Sequence, residues 1–85
     1  GEVNRAVAEI LERKPPPRTG PRSVRLLYAT QTAVRPPTFV LFVNRPDLLH
    51  VSYRRFLVNR LRERFGLEQI PIRLHLRKRE SRYKR

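Results

Sequence analysis

An α+β fold in the order α-β-β-α-β is what this 85-residue sequence predicts, with helices on one face of a three-stranded sheet. Three observations carry that expectation. Val3, Val7, Ile10 and Leu11 recur at the spacing of one helical face. Phe39 to Val43 is an unbroken apolar run of strand length, built from aromatic and branched residues. Ile70, Ile72, Leu74 and Leu76 alternate with Pro71, Arg73, His75 and Arg77, the period of a half-buried strand.

The first helix is expected from Glu2 to Arg13, with Glu9 and Arg13 as an i,i+4 pair, and Pro15-Pro16-Pro17 ends it. Lys14 to Ser23 reads as a stiff basic loop. Val24 to Thr30 reads as strand one, with Val24, Leu26 and Tyr28 alternating against Arg25, Leu27 and Ala29. Gln31 to Pro37 is expected as a loop within an antiparallel hairpin. Strand two, Thr38 to Val43, is apolar on both faces and belongs at the sheet centre.

Asn44 to Asp47 is turn chemistry, and Leu48-Leu49 leaves room for a short extra helical turn. Ser52 is the expected N-cap of a long helix from about Val51 to Phe65. Tyr53, Phe56, Leu57, Leu61 and Phe65 form its core face. Arg54 and Arg64 fall inside that arc and must snorkel. Gly66 is the expected stop. The third strand spans Ile70 to Arg77, so residues 1–79 form the domain, and residues 80–85 are a basic tail expected to be disordered.

Composition narrows the function classes. Twenty basic residues against 7 acidic ones give a net charge of +13, a field that attracts polyanions. All but Lys14, Lys78 and Lys84 are arginine, whose planar fork grips phosphate and stacks on bases. Cysteine is absent, which excludes disulfides and thiolate metal sites. No run approaches membrane-spanning length, and the expected location is the cytoplasm. The lack of an initiator methionine before Gly1 suggests a piece of a longer protein. Such a domain buries only about 60–65% of its unfolded surface, so its core must be compact.

Chemistry for catalysis is sparse. His50 and His75 have no partner at metal or dyad spacing, the carboxylates are scattered, and the three glycines are isolated. Nucleic-acid signals are stronger. One candidate surface is the polar face of strand three with the tail: Arg73, His75, Arg77, Lys78, Arg79, Arg82, Lys84 and Arg85. A second is the turn and helix start: Arg45, Asp47, His50, Arg54 and Arg55. Arg18 and Arg22 make a third. Phe39, Phe42, Phe56 and Phe65 all read as core, which leaves no exposed stacking platform.

The segments YATQ (Tyr28–Gln31), PPTFVLFVN (Pro36–Asn44), LLHVSYRRFLVNRLRERFG (Leu48–Gly66) and PIRLHLRKR (Pro71–Arg79) resemble the C-terminal KH-like domain of the Der (EngA) family of bacterial GTPases. The opening VNRAVAEILERKPPP is similar too, so the resemblance covers nearly the whole chain. It implies a KH-like fold, a ribosome-assembly GTPase with two tandem G domains, and contact with the large ribosomal subunit. KH domains hold single-stranded RNA with a Gly-x-x-Gly loop. The corresponding stretch, Asn44 to Ser52, contains no glycine, and the family likeness implies that this face docks on a G domain.

The expectation is therefore a noncatalytic, monomeric module that contacts ribosomal RNA through strand three and the tail, and the G domains through Arg45 to Arg55. GTP and magnesium are expected only in G domains outside these residues. A purely protein-interacting module and a stand-alone KH-like RNA-binding protein are the alternatives. A nuclease using His50 or His75 is the remaining catalytic option.

Overall fold

The computed structural model describes residues 1–18 and 20–79. Its elements follow the order α1 (Glu2–Arg13), β1 (Leu26–Val34), β2 (Pro37–Val43), a 3-10 turn (Pro46–Leu48), α2 (Val51–Arg64) and β3 (Arg73–Lys78). This is the expected α-β-β-α-β arrangement, including the extra helical turn. The expected tail residues 80–85 lie outside the described residues.

The sheet order is β1-β2-β3, with β2 central as its two apolar faces require. β1 pairs antiparallel with β2, and β2 pairs parallel with β3. A parallel neighbour needs a crossover of a dozen or more residues, and α2 supplies it. Phe39, Leu41 and Val43 of β2 face the helices and are each 1% exposed. They meet Val7 and Ile10 of α1 and Tyr53, Leu57 and Leu61 of α2 in one core. Residues 53, 57 and 61 are one helical turn apart, so a single stripe of α2 covers the sheet.

Three polar links fix the layers. Asn4 of α1 accepts a hydrogen bond at Oδ1 from the Ala29 amide at 2.8 Å, tying the helix to β1. Asn44 accepts from the Arg25 amide at 2.6 Å and donates to the Ser23 carbonyl, closing the sheet at its other end. Tyr53 donates its phenol proton to the Lys14 carbonyl and so joins α2 to the end of α1. At the end of α2, Gly66 takes φ 64°, a conformation that costs a glycine little. There the Gly66 amide reaches the Glu63 carbonyl and the Leu67 amide reaches the Arg62 carbonyl, a Schellman closure.

Several local expectations change. β1 runs on to Val34, so the expected loop from Gln31 to Pro37 shrinks to a turn at Arg35-Pro36, whose peptide bond is cis. Register shifts at Leu27 and Thr32 each insert an extra residue into β1. The first one reverses the strand's phase: Ala29, not Tyr28, enters the core, and Tyr28 is 44% exposed on the other side. Phe42 likewise lies opposite Tyr28 on the face away from the helices, rather than in the core.

β3 starts at Arg73 rather than Ile70. Gln69 turns at φ 64°, the Ile70 amide bonds back to the Leu67 carbonyl, and Pro71 has no amide to offer. His50, not Ser52, is the N-cap of α2, its ring accepting from the Ser52 amide. Arg54 and Arg64 both reach solvent, and Arg64 pairs with Glu9 of α1 at 2.9 Å in place of the expected Glu9–Arg13 pair.

Two outcomes are expected. Leu57→Ala, at a fully buried position, should lower unfolding free energy by about 2–5 kcal/mol, read as a reduced denaturant midpoint with unchanged slope. Burial raises the Tyr53 phenol to about 12. A raised acid stabilises the fold while protonated, so this contribution is complete below the ordinary value of 10.0 and is lost as pH rises toward about 12. Unfolding titrations across that window should show a decline that Tyr53→Phe removes.

Candidate nucleic-acid interface

Alternation along β3 sends Arg73, His75 and Arg77 to the face opposite the helices, where all three are exposed. The register sets them in rows. Tyr28, Phe42 and Arg77 form one row across the three strands, and Thr30, Val40 and His75 form the next. Thr38 and Arg73 begin a third. Just past the strand, the Arg79 amide donates to the Val43 carbonyl at 2.9 Å. That bond places the Arg79 guanidinium over Phe42, 5.8 Å from the ring centre. Lys78 has the opposite parity and sits beside Val43 in register.

The turn surface is built differently. Arg45 donates through Nε and an Nη to both carboxylate oxygens of Asp47, at 2.9 and 2.6 Å. This fork holds the Asp47 carboxyl below its usual range, with Lys78 adding a smaller pull, and raises Arg45. Its guanidinium is thus already engaged by a carboxylate. Arg54 and Arg55 stand exposed on the first turns of α2.

Although the sequence divides these residues into two surfaces, the fold brings parts of both together. Pro46, Asp47, Arg54, His75, Leu76 and Arg77 line one open cleft of about 480 Å³ along the free edge of β3. Arg54 continues it into a groove lined by Val51, Arg55, Val58 and Leu74. Cations thus flank an apolar floor. Arg18, donating to the Pro21 carbonyl, and Arg22 remain on the exposed loop before β1. Arg82, Lys84 and Arg85 fall outside the described residues.

Sequence reasoning missed Tyr28 and Phe42 as surface residues. A signal existed for Phe42: if Leu41 and Val43 face the helices, strand parity sends Phe42 away from them. Tyr28 gave none, because its side is set by the bulge at Leu27. Among the described residues no group of His, Cys, Asp and Glu could hold a metal ion, and no helix is long and apolar enough to cross a membrane.

Comparison with known proteins agrees with this architecture. The family described as KH-domain-like of EngA bacterial GTPase enzymes, C-terminal, matches residues 1–77. The chain is 58% identical over 81 residues to GTPase Der of Syntrophobacter fumaroxidans, covering 94% of this chain and 18% of that protein. It is 50% identical to GTPase Der of Heliobacterium modesticaldum, with 93% and 18% covered. For GTPase Der of Desulforamulus reducens the identity is 45%, with 94% and 18% covered. The chain thus spans under a fifth of these relatives' length, 18% in each. It belongs to the EngA (Der) family, as that family's C-terminal KH-domain-like module.

Proposed function

We propose that this module contacts ribosomal RNA on the large subunit and docks on the GTPase domains of its parent protein, so that GTP state controls ribosome binding. GTP and its magnesium ion would be handled wholly by those other domains. The observation that carries this reading is the shared cleft, where Arg54 of α2 and Arg77 of β3 line one wall system. A G domain seated on the turn and α2 would cover part of the surface that RNA needs. Release of that contact would expose Arg54, His75 and Arg77 together. RNA is the favoured polyanion because the cations are almost all arginine and sit on a concave edge with an apolar floor.

A purely protein-interacting module is the second reading. It is favoured by the exposed apolar hollow at the hairpin end, lined by Val34, Pro36, Pro37, Leu67, Ile70 and Pro71. Val34 there is 73% exposed. A surface of that kind fits another protein better than a nucleic acid.

The two readings separate in a binding titration against large ribosomal subunits over a range of salt. Replacing Arg73, Arg77 and Arg79 together with glutamine should weaken binding and reduce the slope of log K against log salt by about 2–3 units. Unchanged affinity and slope would exclude the RNA contact and leave the protein-docking reading.

A further inference from the structure

The face of the sheet opposite the helices adjoins the cleft at the β3 edge, sharing His75 and Arg77 with it, and carries chemistry of its own. Tyr28 is 44% exposed and lies directly across the ladder from the half-buried Phe42. Val40, 6% exposed, sits in the next row and gives the face an apolar centre. Arg73, His75 and Arg77 rise from the edge strand on the same side. The Arg79 guanidinium lies over Phe42, 5.8 Å from the ring centre and within cation–π reach.

Resting on the RNA reading above, we propose that this face is a stacking platform for unpaired nucleotides. Tyr28 offers its open ring to one base. Arg79, resting on Phe42, offers a flat cationic surface to a neighbouring base. Arg73 and Arg77 lie at the rim, where the sugar–phosphate chain passes along the edge strand. Aromatic rings interleaved with arginines on a sheet face that no helix covers suit splayed, single-stranded segments, since paired bases keep their faces buried in the stack. Duplex RNA could use only the rim charges.

The test is an anisotropy titration of the full chain with a labelled, unstructured RNA oligonucleotide and with a duplex of the same sequence, each across a salt series. The single strand should bind more tightly. Tyr28→Ala should weaken single-strand binding about tenfold, leave the salt slope unchanged and leave duplex binding unchanged. Tyr28→Phe should retain wild-type affinity. Circular dichroism and thermal melts show that each variant is folded; Tyr28 is outside the core, so both substitutions are tolerable. The platform is overturned by a Tyr28→Ala variant that binds as wild type does, or by equal affinity for strand and duplex. In either case a slope lowered by the Arg73, Arg77 and Arg79 substitutions keeps the RNA reading alive without the platform. Failure of the wild-type chain to bind either RNA overturns both.

Discussion

Two-sided burial of β2 is the constraint from which the rest of the structure follows. Its residues 39, 41 and 43 are each 1% exposed beneath the helices, while Val40 on the opposite face is 6% exposed. A strand so covered has no acceptable place except the sheet centre, with a hydrogen-bonded neighbour on each side. Once β1 has closed one side by a hairpin, the other must be filled by a strand arriving later. α2 is the chain between them, and its apolar stripe is held over β2 by that same path. The cleft exists because α2 and β3 are laid down beside one another at the free edge.

Charge enters as the opposing influence. A net +13 on 85 residues is self-repelling when compact. The pairs Arg45–Asp47, Arg60–Glu63 and Arg64–Glu9 lie at the surface, where each contributes little. A polyanion laid along the sheet edge would relieve this repulsion. Binding and folding are thereby linked in sign: what neutralises the arginines also favours the compact state.

Much of the fold was legible because periodicity reports directly on which residues are covered. α1 came out with its bounds, Glu2 to Arg13, and the central place of β2 followed from apolar residues at successive positions. What escaped were features that period alone does not encode. The bulge at Leu27 adds one residue and exchanges the faces of Tyr28 to Gln31, until the second bulge at Thr32 restores the phase, so Ala29 replaced Tyr28 inside. His50 took the cap from Ser52 because a ring nitrogen two residues back can accept the same kind of amide bond. The basic residues of the site were all visible as a set. Their grouping was not, since Arg54 and Arg77 are neighbours only through the crossover.

The sheet is covered by helices on one side only. Along β3, positions 74 and 76 pack toward the core, whereas 73, 75 and 77 touch mainly solvent. Selection can therefore alter the second set with little penalty to folding, whereas Leu74 and Leu76 serve both the core and the lining of the cleft and groove. The charged groups of β3 and the side chains that anchor it thus fall on alternate residues of one strand. Relatives sharing this backbone can accordingly diverge in partner preference while their interior stays the same.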